Sequence, residues 1–299
     1  MLLLVGTIPC NPGHVYSGTV SWTGSHLLVG DDSIAACQGS AAMAFAALEA
    51  TKVFSAPAPY ALFGGDTGGG EGTRAVYRAF EDTLKGLKTT YDERRAQGSL
   101  EPFVITFHYL LPVMSLMRHA LETIERIVPE ALLVADAGGM YAARAAGLSH
   151  KFELMTPDVG EIGFLAEKNA THPAYVAEYL FGSEQFDVHE LVKKAYALNT
   201  ASRVLIVKGA TDFIAQREAA PSYIIETVSE PNVPELEAIG GTGDTITGLA
   251  SGLMACGCET ADAARRALLG NRMAGNSAKA QVFTPVREII EHFSSIIQP

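Results

Sequence analysis

The run Gly240-Gly241-Thr242-Gly243-Asp244, continued by Thr245-Ile246-Thr247-Gly248-Leu249-Ala250-Ser251-Gly252, is the chemically most suggestive stretch of the chain. Glycines just ahead of a helix let backbone N–H groups turn toward one point, and the helix N-terminus adds roughly half a positive charge there. Gly240, Gly241, Thr242 and Gly243 thus read as an anion hole. Asp244 is out of place in it, because a carboxylate repels a neighbouring anion. Two readings stay open. Asp244 caps the helix, or it is a general base that takes a proton from a substrate hydroxyl as a phosphoryl group arrives. The small residues Gly248, Ser251 and Gly252 let this helix pack closely on a sheet or a ligand.

Three further groups follow apolar runs that read as buried strands. Thr156-Pro157-Asp158-Val159-Gly160-Glu161 places Asp158 and Glu161 three residues apart, on one face of a helix that Pro157 suits at its first turn. Two acidic oxygen donors suit Mg²⁺, and an acidic first turn equally suits capping. Val204-Leu205-Ile206-Val207-Lys208-Gly209 brings Lys208 and Gly209 to a strand end, where open α/β sheets bind ligands. Lys208 meets a phosphate there or is a solvated terminus. Asp136 closes Leu133-Val134-Ala135 and either contacts substrate or metal or caps the next helix.

Other patterns carry less. Gly70-Glu71-Gly72-Thr73-Arg74-Ala75 fits the relaxed dinucleotide pattern, but its glycine run is too long and does not follow the first strand. The chain has no GxxxxGK[ST], which excludes a P-loop. The eight histidines form no metal-ligand spacing, and His108 at a strand end reads first as a hydrogen-bonded structural residue and second as a residue that lines the site. Cys256-Gly-Cys258 lacks a second ligand pair nearby and reads as helix packing. With only four cysteines no disulfide framework is implied, and a reducing cytoplasm is the expectation.

The elements that must position these groups alternate. Strands are expected at 2–5, 60–63, 103–107, 132–135, 152–155 and 204–207, with helices at 33–50, 73–87, 113–127 and 188–198. Residues 213–215 and 223–228 read as an antiparallel pair, and the pattern after residue 239 is almost wholly helical. Residues 7–30 read as a flap or an edge hairpin. Strands that are unbroken Leu/Val/Ile runs are buried on both faces, so the alternation predicts a mostly parallel sheet between helices, in one domain over residues 1–299. Of the 299 residues, 48% are hydrophobic and 18% charged, which excludes disorder. The net charge of −11 leaves no basic excess for nucleic acid. No targeting segment or uncharged run of spanning length is expected. The apolar composition and mean hydropathy of +0.16 are compatible with a homo-oligomer.

Taken in order, Ala135-Asp136-Ala137-Gly138, TPDVGE, VKG and GGTGDTITG resemble the ribokinase-like superfamily of small-molecule kinases. Within it the match is to the carbohydrate-kinase-like branch of ADP- or ATP-dependent NAD(P)H-hydrate dehydratases, which carries DADAL, TPHPGE, LKG and GGTGDVLTG. The resemblance spans about residues 131–280. It implies a three-layer α/β/α sandwich with nucleotide and a small-molecule substrate at the carboxyl edge of the sheet. It further implies Asp244 as catalytic base, Gly241 to Gly243 as the phosphoryl anion hole, Mg²⁺ held through water by Asp158 and Glu161, and Lys208-Gly209 near the nucleotide. In a dehydratase the hydrate's hydroxyl is phosphorylated and phosphate elimination restores the nicotinamide. A sugar or vitamin-precursor kinase, or a nucleotide sensor without turnover, shares the same parts. Asp158 stands where the branch has His, Gly138-Gly139 replace bulkier residues, and the N-terminal third lacks a KGxxG-type opening.

Overall fold

The computed structural model describes residues 1–170, 187–218 and 222–298. Eleven strands among them form one sheet: β1 (Leu2–Ile8), β2 (Val15–Trp22), β3 (Leu27–Val29), β4 (Asp32–Ile34), β5 (Tyr60–Gly65), β6 (Val104–His108), β7 (Leu132–Ala135), β8 (Leu154–Met155), β9 (Val204–Val207), β10 (Asp212–Arg217) and β11 (Tyr223–Val228). Their spatial order is β11-β10-β9-β8-β7-β6-β1-β5-β2-β3-β4. The six central strands, β9 to β5, run parallel, and both flanks are antiparallel.

The helices are α1 (Gly39–Val53), α2 (Glu71–Ala96), α3 (Met114–Ile127), α4 (Ala137–Ala145), α5 (Val159–Ala166), α6 (Val188–Ala197), α7 (Thr242–Ala255), α8 (Thr260–Ser277), α9 (Val286–Ile290) and α10 (Phe293–Ile296). The period-2 pleat of β1 assigns them to layers. Leu2 and Leu4 belong to one core with Phe45 of α1, Leu253 of α7, Leu268 of α8, Ile290 and Phe293. Leu3 and Val5 belong to the other, with Phe80 of α2, Leu121 of α3, Met140 of α4, Phe164 of α5 and Leu191 of α6. This is the expected α/β/α sandwich.

Two local expectations change. The helix expected over 33–50 begins only at Gly39, because Asp32–Ile34 pairs with β3 and Gly39 turns the chain at φ +64°. The strand expected over 152–155 shortens to Leu154–Met155, since the turn Ser149–Lys151 runs into Phe152. Residues 7–30 form an edge meander, with β2 antiparallel to β5. Among the described residues no helix is long and apolar enough to cross a membrane.

α1 and α7 lie side by side. A Cβ on Gly248 would stand 2.1 Å from the Met43 carbonyl oxygen, and one on Gly252 would stand 2.8 Å from Ala50 Cβ. On the sheet side, Thr106 Oγ1 of β6 donates to Ser251 Oγ at 2.8 Å. The small residues therefore serve both packing partners, α1 and the sheet, and they fix where the first turn of α7 sits.

Candidate active site

The parallel strands end on one edge, and most of the chemistry lies just past their carboxyl ends. His108 closes β6, Asp136 follows β7, Asp158 and Glu161 follow β8, and Lys208 follows β9. They meet the start of α7 around a cavity of about 550 Å³. Asp136, Asp158, Glu161, Lys208, Gly209, Gly241, Thr242, Gly243 and Asp244 all line it. Gly240 does not; it backs onto Gln38, whose Oε1 would be 3.0 Å from an added Cβ.

Gly241 is the N-cap of α7, with φ +103°, and an added Cβ would press on Val286 and the Gln38 backbone at 3.1–3.2 Å. A side chain is thus excluded by both conformation and space. Thr242 Oγ1 donates to the Leu236 and Ile239 carbonyls, tying the turn Pro234–Ala238 to the helix start. Gly243 and Asp244 fall in the first turn, where N–H groups have no intrahelical acceptor. Gly243 lies beside Lys208, whose Nζ would be 3.6 Å from an added Cβ. Backbone amides, a helix N-terminus and an ammonium therefore converge, which is an arrangement that binds phosphate oxygens.

Asp244 does not cap its own helix. Its Oδ2 accepts from the Gly39 N–H at 2.7 Å, and its Oδ1 is 3.0 Å from His108 Nε2. Burial opposes its ionisation, but His108, Lys208 and the Gly39 amide outweigh burial and hold the carboxyl below the usual range. It is a nearly buried, ionised carboxylate at the cavity wall, suited to accept a proton.

Asp136 caps α4 through Ala137 N–H and accepts from Lys208 Nζ at 3.0 and 3.1 Å and from Thr247 Oγ1 at 2.6 Å. Its carboxylate, 1% exposed, is thus engaged by protein groups at the wall of the cavity where the sequence expects it to contact substrate. Burial works against the Lys208 charge, but Asp136, Glu161 and Asp244 raise its pKa above the ordinary lysine range. The ligand atoms of His108, Asp136 and Asp244 lie within 4.8 Å of one another. The Lys208 ammonium already occupies the Asp136 carboxylate, so a cation there would meet a like charge.

Asp158 and Glu161 do form a capping box on α5: Asp158 Oδ1 accepts from Glu161 N–H at 2.8 Å and Glu161 Oε2 from Asp158 N–H at 2.9 Å. Glu161 also accepts from the Tyr141 hydroxyl. Burial first, then Asp136 and Asp158, push the Glu161 carboxyl up to about 7 against the pull of Lys208. On the other side Asp212 accepts from Gly209 N–H at 3.0 Å and pairs with buried Arg272, which also binds the Gly209 and Ala210 carbonyls. This network sets the loop after β9.

The glycine loop 64–72 is organised differently. The Asp66 carboxylate accepts the N–H groups of Gly68, Gly70 and Thr73 at 2.9–3.0 Å. The amides that a dinucleotide pyrophosphate would require there are already bonded, in keeping with the weak pattern match.

Comparison with known proteins fits this geometry. The family profile for NAD(P)H-hydrate dehydratase matches residues 112–298, well over half of the chain. The chain belongs to the NAD(P)H-hydrate dehydratase family. An uncharacterized protein of Methanocaldococcus jannaschii is 34% identical over 226 residues, covering 76% of this chain and 85% of that one. The ADP-dependent (S)-NAD(P)H-hydrate dehydratase of Xanthomonas campestris is 28% identical over 274 residues, covering 90% and 81%. The fold is also that of the ADP/ATP-dependent NAD(P)H-hydrate dehydratase of Bacillus subtilis co-crystallized with ATP/Mg²⁺ (TM-score 0.51, 16% identity, 99% of this chain and 88% of that one). In this member of the dehydratase family, the motif residues other than Gly240 gather around one cavity. Gly39, Thr247 and Arg272 were not legible as site residues, and for His108 the structural reading came ahead of a place in the site. The one signal for His108 is its position at a strand end, and its partner Asp244 is 136 residues away.

Proposed function

We propose that this enzyme is a nucleotide-dependent NAD(P)H-hydrate dehydratase, using ADP or ATP as phosphoryl donor and the hydroxyl of a hydrated nicotinamide as acceptor. The observation that carries the reading is Asp244: an ionised carboxylate in the first turn of α7, beside the anion hole, that does not cap its helix. Asp244 takes the proton of the acceptor hydroxyl as that oxygen attacks the terminal phosphorus, whose bond to the bridging oxygen breaks and releases AMP from ADP or ADP from ATP. The amides of Gly243 and Asp244 and the Lys208 ammonium meet the charge on the transferring phosphoryl oxygens, so positioning and electrostatics supply most of the rate. Loss of the new phosphate with a ring proton then leaves the reduced nicotinamide.

Asp158 and Glu161 fit Mg²⁺, and Asp136 lies behind them. A half-buried carboxyl raised to about 7 by desolvation and by neighbouring carboxylates is a group that a divalent cation would relieve. When bound, Mg²⁺ supplies charge neutralisation to the phosphate oxygens.

The test is turnover of NADH hydrate with ADP or ATP and Mg²⁺, read as recovery of NADH absorbance and release of phosphate. Recovery of both supports the reading. A stable phosphorylated acceptor without NADH recovery, found in a wider screen of sugars and vitamin precursors, would make the protein a kinase. Tight nucleotide binding with no phosphoryl transfer to any acceptor would make it a sensor.

A further inference from the structure

His108 is fully buried, yet each of its ring nitrogens faces a polar group on a different element. Nε2 is 3.0 Å from Asp244 Oδ1 on α7, with Asp136 Oδ2 farther off at 3.7 Å, and Nδ1 is 2.9 Å from Ser40 Oγ on α1. Space for this is made by Gly6 of β1, where a Cβ would come within 2.5 Å of Ser40 Oγ and 2.6 Å of the His108 carbonyl oxygen. Ser40 is itself 1% exposed, so it meets no substrate.

The hydrogen bonds set the protons. Asp244 is ionised and can only accept, so Nε2 carries a hydrogen. Nδ1 can then accept from the Ser40 hydroxyl, and no buried donor or acceptor is left over. The Gly39 amide takes the other carboxylate oxygen, and Gly39 adjoins Ser40 at the start of α1. Two donors thus grip the carboxylate, one per oxygen, and leave its remaining lone pairs for the cavity side. Other charged or titratable groups around Asp244 are Lys208 beyond β9, Asp136 beyond β7, Glu161 on α5 and Tyr109 after β6. Of these Lys208 acts on Asp244 through its charge, whereas His108 and Gly39 bond to it directly.

We propose that His108 is a positioning residue for the reaction: backed by Ser40, its Nε2–H orients the Asp244 carboxylate and keeps it ionised, so that Asp244 can take the acceptor's proton. The inference rests on the reading of Asp244 as the base. It extends that reading to a residue outside the nucleotide and metal motifs, and it gives the start of α1 a part in the site. The low pKa of Asp244, held down against burial chiefly by His108, agrees with it.

Two amide substitutions separate positioning from mere filling. In H108Q the longer side chain carries an N–H to the place of Nε2, where it still reaches Asp244. In H108N the amide ends near Nδ1, where it still reaches Ser40 and falls short of Asp244. Both keep a buried polar group and are checked for folding by near-UV circular dichroism. The Asp244 carboxyl is then titrated by carbon-13 NMR, with its signal assigned by its loss in D244N, and kcat is measured against pH. The expected result is a raised Asp244 midpoint in H108N alone. Its kcat near neutral pH falls by about ten- to a hundredfold, and its acid limb moves to higher pH. H108Q stays within a few-fold of wild type on both measures. Equal Asp244 midpoints in all three proteins, or equal rates in the two variants, would overturn the proposal. Absence of turnover in the wild type would instead remove the dehydratase reading, and the carboxyl titration would still decide the part played by His108.

Discussion

Lys208 and Asp136, at the ends of strands separated by β8, form a buried pair in which the ammonium lies 3.0 and 3.1 Å from the two carboxylate oxygens. Lys208 reaches the cavity with its charge set by residues beneath it, so it contributes to the shape of the protein as well as to anion binding. Replacing one partner strands the other. Lys208→Met is expected to cost about 3–5 kcal/mol of stability. The double variant K208M/D136N should recover part of the loss, because the carbonyl of the introduced amide can still accept from Ala137 N–H. Thermal and urea unfolding of the two variants check this; equal stability would mean the pair is not coupled.

Asp244→Asn is expected to keep the fold and to lose turnover by about 10²–10⁴-fold, the usual contribution of a general base. Its carbonyl can still accept from Gly39. Loss of the negative charge beside the anion hole should leave nucleotide binding equal or tighter. Isothermal titration with ADP and ATP, together with the NADH-hydrate assay, measures both. A rate within a few-fold of wild type would remove the base.

The Glu161 carboxyl, raised to about 7, ties both metal binding and stability to pH. Mg²⁺ requires the carboxylate, so its apparent affinity should climb as pH passes through about 7, with a proton released on binding. Between the ordinary glutamate pKa and about 7, the folded protein binds more protons than the unfolded chain. In the absence of Mg²⁺, stability should therefore fall with rising pH across that window, and E161Q should lack this slope. Urea midpoints from about pH 4.5 to 8 for the two proteins show whether the slope is present.

Two glycines in helices should respond in opposite ways. Gly248→Ala places a Cβ 2.1 Å from the Met43 carbonyl oxygen, so α7 must move off α1; a cost of about 1–3 kcal/mol is expected, with weakened nucleotide binding. Gly86 in α2 is exposed and has nothing within 4 Å of an added Cβ, so Gly86→Ala should stabilise by about 0.5–1 kcal/mol. Calorimetric melting of both variants reads the two signs.

The sequence was most readable where chemistry coincides with punctuation. Lys208 is followed by glycine at a strand end, Asp136 ends an apolar run, and Asp244 follows three glycines interrupted by a threonine. Each announces itself within a few residues. Asp158 and Glu161 were legible as a pair but not as to role, because capping and metal binding favour the same residues at the same spacing. The start of α1 was misplaced, since residues 33–38 carry apolar residues that a helix or an edge strand would use equally well. The role of His108 in the site stayed hidden for a different reason. A buried histidine is defined by its partners, and these come from helices far away in the chain.

The Gly39–Asp244 hydrogen bond joins residues 205 apart. α1, with a surface of Ala, Met, Phe and Leu that is almost wholly buried, has α7 as its close neighbour. During synthesis the first of these helices is complete long before the second leaves the ribosome. Until then α1 has no cover on that side, and the amide that will grip the base has no acceptor. Nascent chains stalled before residue 242 should therefore be sticky and unable to retain nucleotide. The ability to bind it should arrive late and all at once, with the emergence of α7.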